Sequence, residues 1–321
     1  MSLALLFSPQ GSQTLGMGHD LAEAWPEAAT VFSQADEALG WQVSEVAWLG
    51  PEERLNQTQH TQPALVATSL ACLAALRAAA ARAGLAIEPA FLAGHSVGEY
   101  AALVAAGTLA APDALRLVAR RGELMAAATV DGGMAAVIGL DREAVANAIA
   151  AVASPADLVV ANDNAPGQVV ISGTRAALLD AEEALKTAGA RRLIGLPVSG
   201  PFHSPWMAEM SDALGTAFEE VAWSDAAPPV VSNVTAEPVT DASHIRNLLA
   251  EQVRSPVEWV ACVRRMTDDG VDTFIECGPG SALTGMVKRI APGARTLNVS
   301  DVATLDNTVG ALAAVPAEAS A

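Results

Sequence analysis

The stretch Phe91–Leu103 reads FLAGHSVGEYAAL, an apolar lead-in joined to an alanine-rich run through Gly94, Ser96 and Gly98. A strand that turns abruptly into a helix with a serine at the apex needs glycine on both sides, because side chains at those positions would collide. The geometry exposes the hydroxyl and sets Ser96 at a helix N-terminus. Free backbone N–H groups there, notably that of Val97, can stabilise an oxyanion. The alternative is a glycine-flanked turn whose serine only caps the helix. A strand before it and a helix after it favour a nucleophile.

Working outward, LALLF at 3–7 reads as a short buried strand running into the turn-prone SPQGSQ. A helical pattern occupies about 20–39, and a longer one begins after Pro63 and reaches about Ala83. Ala90–Ala93 forms a second apolar strand, and the helix that starts near Ser96 or Val97 should stop around Gly107, with Pro112 opening the next. Strands alternating with helices predict an α/β fold with a parallel sheet covered on both faces, as in α/β hydrolases.

From 130 the rhythm changes. Strand 134–140, helix 141–152, strands 157–163 and 168–173 joined by NAPG, a helix over 174–187 and a strand at 191–198 make βαββαβ, the ferredoxin-like split motif. The expected organisation is a large α/β domain in two parts, 1–129 and 200–310, with a small ferredoxin-like domain at 130–199 inserted in it and a flexible tail at 311–321. Helices near 205–220 and 243–254, a strand at 271–277 and a helix after GPG complete the large part.

Composition narrows the function classes. The net charge is −18, and Lys186 and Lys288 are the only lysines, which argues against nucleic acid. Arg191 with Arg192 and Lys288 with Arg289 read as solvated surface, the alternative being a local patch for an acidic partner. The start MSLALLFSPQ lacks a positive n-region or cleavage pattern, and the longest uncharged apolar-rich run, Ala64–Leu76, is short of the ~20 residues of a membrane span. A cytoplasmic protein with no membrane association is expected. Cys72, Cys262 and Cys277 are odd in number and widely spaced, which disfavours disulfides and zinc.

A nucleophilic serine needs a base. His95 adjoins Ser96 and should point elsewhere, and His19, His60 and His244 sit in polar stretches. His203 follows the turn SGP and precedes Ser204-Pro205, so it too is held at a strand-to-helix junction. In ALRLVARRGELM, Arg121 falls within the apolar stripe of Leu117, Val118, Leu124 and Met125. An inward arginine needs a carboxylate, either from the protein or from a substrate held by its two-pronged guanidinium.

FSPQGSQ, TQPAL (61–65), GHSVGEYAAL (94–103), RRGELM (120–125), NAPGQVVISG (164–173), GPFHS (200–204) and ECGPG (276–280) occur in an order and spacing that resemble the malonyl-CoA:acyl carrier protein transacylases, over about residues 3–300. The resemblance implies an acyltransferase that moves malonyl from malonyl-CoA to acyl carrier protein for fatty acid synthesis, as a monomer and without cofactor or metal. Ser96 would be the acylated nucleophile and His203 the base, oriented by the backbone carbonyl of Gln252. The backbone N–H groups of Val97 and Gln10 would form the oxyanion hole, and Arg121 would bind the malonyl carboxylate. Gln62, Asn162 and Asn233 match other pocket positions, although turn or loop hydrogen bonding explains them equally well. GPFHS resembles the malonyl-selective form of the histidine motif. Ser8-Pro9 departs from the usual Pro-Gly before Gln10, which puts the path of that loop in question. A polyketide-pathway acyltransferase, a serine thioesterase or hydrolase, and a silent scaffold that binds carrier protein or CoA are the alternatives.

Overall fold

The computed structural model describes residues 2–128 and 130–314. The strands are β1 (Leu3–Phe7), β2 (Phe91–Gly94), β3 (Gly132–Ile138), β4 (Leu158–Ala165), β5 (Gln168–Thr174), β6 (Arg192–Gly195), β7 (Val230–Val231), β8 (Pro238–Val239), β9 (Thr273–Cys277) and β10 (Arg295–Val299). They form two sheets. The larger has the order β10-β9-β1-β2-β7-β8, parallel except at the β7–β8 edge. The protein is therefore mixed α/β with a mainly parallel sheet.

The central strand β1 is apolar and buried throughout, as strands covered on both faces are. Its residues alternate between two cores. Leu3, Leu5 and Phe7 join Leu65, Leu73 and Leu76 of the helix Thr58–Arg82 on one face, while Ala4 and Leu6 meet Trp259, Val263, Leu283 and Val287 on the other. Both helical layers are thus anchored by one five-residue strand.

Three helices differ from the sequence expectation. The pattern at 20–39 is broken at Trp25, whose extended backbone separates His19–Ala24 from Pro26–Leu39, with Pro26 at the permitted first position. The helix expected to begin after Pro63 starts at Thr58, beyond the short helices Val43–Trp48 and Glu52–Leu55, so Pro63 lies inside it and leaves only the Gln59 carbonyl without its helical donor. This 25-residue helix is long and apolar enough to cross a membrane by length and composition, with a mean hydropathy of 1.8 in its most apolar window, but 78% of that window is buried in the core. The segment expected as a helix at 205–220 is a 3-10 turn, Pro205–Met207, followed by Ala208–Phe218.

The smaller sheet has the order β4-β5-β3-β6 and is antiparallel throughout. Helices Arg142–Ala150 and Arg175–Thr187, capped by the side chains of Asp141 and Thr174, bury Val145, Ile149, Ala181 and Leu185 against Val137, Val160, Val169 and Ile171. Strand β4 also reaches the segment leading out of the helix Ala242–Gln252. Val257 N–H donates to Ala161 O at 2.8 Å, and Asp163 N–H donates to Val257 O at 3.0 Å. Arg289 Nη1 bonds Gln168 Oε1 at 2.7 Å, tying the helix Ala282–Ile290 to the start of β5, whereas Lys288, Arg191 and Arg192 are exposed. The three cysteines are buried free thiols. The last helix, Val302–Ala313, runs into the expected tail 311–321, of which 315–321 lie outside the described residues, as does Thr129 at the expected domain boundary.

Candidate active site

Ser96 sits where β2 meets the helix Gly98–Ala105, in the left-handed region at φ +53°. The flanking glycines are required by contact distance. A Cβ on Gly94 would lie 2.0 Å from the Gly98 carbonyl, and one on Gly98 would lie 2.2 Å from Phe7 O at the end of β1. The strained turn is pinned by Asn233, whose Oδ1 accepts from Ser96 N–H at 2.7 Å and whose Nδ2 donates to Gly94 O at 2.7 Å. Asn233 therefore acts on the backbone of the elbow.

His203 is also left-handed, at φ +56°, and its backbone N–H donates to Val253 O at 3.0 Å. Its Nε2 lies 2.8 Å from Ser96 Oγ. Its Nδ1 lies 2.9 Å from Gln252 O and 3.1 Å from Ser255 O. Carbonyls only accept, so the ring proton belongs on Nδ1 and the Nε2 lone pair faces the serine. Burial first, then the nearby Arg121 charge, lowers the His203 pKa to about 3, which keeps the imidazole neutral.

Arg121, on the helix Ala111–Ala126, is 1% exposed. Its Nη1 donates to Gln62 Oε1 at 2.8 Å, and its Nη2 donates to Ser96 Oγ at 3.0 Å and to Gln252 Oε1 at 3.2 Å. Nε has no acceptor, and no Asp or Glu forms an ion pair with the guanidinium among the described residues. A buried cation is thus held by neutral oxygens around the nucleophile. Such an arrangement is costly unless an anion arrives.

Gln62 extends the network, its Nε2 donating to Gln10 Oε1 at 3.1 Å. The backbone N–H groups of Val97 and Gln10 donate to no protein acceptor among the described residues. The loop between β1 and Gln10 is tied down at Ser8, whose Oγ donates to Glu276 Oε1 at 3.2 Å. Asn162, in β4, is 5% exposed but makes no side-chain hydrogen bond to this constellation among the described residues. His95 turns away, as expected of a neighbour in sequence. Its Nε2 is 2.8 Å from Asn164 Oδ1, its ring packs against Trp259, and burial lowers its pKa to about 4. His19 stacks on Trp48, His60 meets Trp41 edge-on, and His244 is exposed at a helix start.

Two groups escaped the sequence reading. Gln252 contributes its side chain as well as its carbonyl, with Nε2 donating to Ser96 O at 3.0 Å and to Glu99 Oε2 at 2.9 Å. Glu99 itself is 2% exposed and also accepts from Asn233 N–H at 3.1 Å. Its signal was an acid three residues after the serine in an otherwise uncharged run.

This geometry offers a hydroxyl, a neutral base and a cation within one buried network, with two backbone N–H groups that lack a protein acceptor among the described residues on the segments beside it. The acyl transferase domain family matches residues 4–308. The malonyl CoA-acyl carrier protein transacylase of Bacillus subtilis is 42% identical over 313 residues, 97% of each chain, and that of Haemophilus influenzae is 40% identical over 94% of this chain and 96% of its own. The chain belongs to the malonyl-CoA:acyl carrier protein transacylase family. Among solved transacylases, the acyl carrier protein S-malonyltransferase of Vibrio cholerae superposes with a TM-score of 0.90 at 42% identity, covering 96% of this chain and 100% of that one. A malonyl-transacylase in complex with a type II polyketide acyl-carrier protein gives 0.91 at 39% identity, covering 97% and 100%. In this chain the Ser8-Pro9 pair leads into Gln10 with Ser8 bonded to Glu276, and the Gln10 N–H has no protein acceptor among the described residues.

Proposed function

We propose that the protein transfers malonyl from malonyl-CoA to the phosphopantetheine thiol of acyl carrier protein through a malonyl-Ser96 ester. The observation that carries this reading is the buried Arg121 guanidinium, unpaired with any acid among the described residues and 3.0 Å from Ser96 Oγ. A carboxylate on the acyl group supplies an anion in direct contact with the guanidinium and brings its thioester carbon to the hydroxyl.

Ser96 Oγ attacks that carbon while His203 Nε2 takes its proton, and the oxyanion is held by the N–H groups of Val97 and Gln10. The imidazolium returns the proton to the departing CoA sulfur, leaving the ester and free CoA. The carrier thiol then repeats the sequence in reverse. The carbonyls of Gln252 and Ser255 stabilise the imidazolium that forms, so no aspartate is required. The acyl carboxylate also offsets the Arg121 charge, the second cause of the low His203 pKa, and so makes the base stronger when the intended substrate is bound.

In this reading residues 130–199 form a ferredoxin-like domain inserted in a hydrolase-like one, supported by the strand order of the smaller sheet and by its two helices. The enzyme works in the cytoplasm as a monomer, with Asn162 lining the approach to the site. Intact-mass analysis after mixing with malonyl-CoA tests the proposal. A malonyl adduct on Ser96 that moves to carrier protein supports it, whereas steady release of malonate or no adduct overturns it. Fatty acid and polyketide carrier proteins, compared as acceptors, identify the pathway.

A further inference from the structure

Glu99 is the acid that the mechanism above leaves unused. It lies on the helix leaving the elbow, and its Oε2 accepts from Gln252 Nε2 and Asn233 N–H. Gln252 Oε1 in turn accepts from Arg121 Nη2, so one side-chain amide separates the buried carboxylate from the buried guanidinium. The same amide holds Ser96 O. The ionisable groups facing Glu99 are Arg121 on the helix Ala111–Ala126, Cys262 on Trp259–Asp268, Tyr100 beside it on its own helix, and His203 across Gln252. Burial raises the thiol and the phenol, and lowers the imidazole, away from their charged forms, which leaves Arg121 as the charge that Glu99 meets at neutral pH. Burial pushes Glu99 itself up to about 7, against the opposing pull of Gln252, Asn233 and Arg121.

We propose, on the reading of Ser96 as the acylated residue, that Glu99 is the resident counter-charge of Arg121 and a specificity-determining residue. A carboxylated acyl group takes over the guanidinium, and Glu99 takes up a proton from solvent as it does so. An uncharged acyl group leaves Glu99 as it was. The chemical step is proton-neutral in both cases, because the Ser96 proton leaves on the CoA sulfur. Any difference in proton uptake between malonyl and acetyl loading therefore belongs to the site.

The test is a single turnover of the intact enzyme in weak buffer with a pH indicator, run with malonyl-CoA and with acetyl-CoA and no carrier protein. CoA is released in both runs, so its own ionisation cancels. At pH 7 malonyl loading should take up about half a proton per acylated serine more than acetyl loading, and the KM for malonyl-CoA should rise by up to about tenfold per pH unit above 7. Glu99→Gln keeps an acceptor for Gln252 and Asn233 but cannot ionise, and it should abolish the excess uptake and flatten the KM profile while the shape of the kcat profile stays that of the native enzyme. Equal proton counts for the two thioesters in the native enzyme, with both adducts formed, overturn the role of Glu99 and leave the transferase reading standing. Absence of any Ser96 adduct overturns the transferase reading, and the role of Glu99 falls with it.

Discussion

Replacing Arg121 with Ala tests the site most directly, because its effect should depend on the acyl group. The guanidinium makes bonds to Gln62, Gln252 and Ser96 in the free protein, all to neutral oxygens. In the proposed malonyl complex two of its N–H groups face a carboxylate. Charge-assisted bonds of that kind contribute about 1.5–3 kcal/mol each, so the loss of two is worth about 3–6 kcal/mol, roughly two to four orders of magnitude in kcat/KM for malonyl-CoA. Acetyl-CoA has no carboxylate to lose. Removing the positive charge also relieves the second cause of the depressed His203 pKa, so acetyl loading should hold or rise. The assay is single-turnover acylation of Ser96 by intact mass with each thioester, alongside a thermal melt to establish folding. A folded variant that loses both activities in equal proportion refutes the assignment of Arg121 to the carboxylate.

Other outcomes follow from the same geometry. His203 is lowered from 6.5 to about 3, so the base is proton-free well below neutrality, and acetyl loading should be flat from about pH 8 to about pH 5; a break near 6.5 would show an exposed, ordinary imidazole. Gly98→Ala drives a Cβ to 2.2 Å from Phe7 O, a backbone atom that has no rotamer to yield. It should cost at least about 1–3 kcal/mol in urea denaturation, and an unchanged midpoint would contradict the close approach of β1 and the elbow. Glu276 accepts from Leu283 N–H, Thr284 N–H, Thr284 Oγ1 and Ser8 Oγ, so Glu276→Gln turns an amide donor toward other donors. A stability loss of about 1–3 kcal/mol is expected by chemical denaturation, with slower Ser96 acylation through the loosened Gln10 loop.

The elbow was legible because its requirement is local: two missing side chains report a collision that any strand-to-helix turn of this kind must avoid. The alternation of β1 and β2 with helices was legible for a similar reason, since strands buried on both faces read as unbroken apolar runs. Pro63 misled. Taken as a helix start, it left Gln62 in a loop, where its amide had a bland explanation, yet Gln62 projects from within a buried helix straight at Arg121. Strands β7 and β8 have two residues each, too few for any periodic signal, and the positions of β7 and Asn233 beside the elbow are tertiary facts. His203 stands out among the five histidines by its place at a strand-to-helix junction. Its pairing with Ser96 is a 2.8 Å contact across 107 residues of chain, which no local pattern encodes.

The contact between Gly98 and Phe7 O has a further consequence for anyone wishing to retune this catalyst toward other thioesters. Val97 precedes the glycine, and the loop carrying Gln10 starts just after the phenylalanine, so the gap between the two amide donors is gauged by main chain touching main chain. Mutagenesis has no side chain there to vary. If the proposed roles hold, engineering for acyl breadth can reshape the walls at Gln62 and Arg121, but the spacing of the proposed anion cradle is inherited with the backbone.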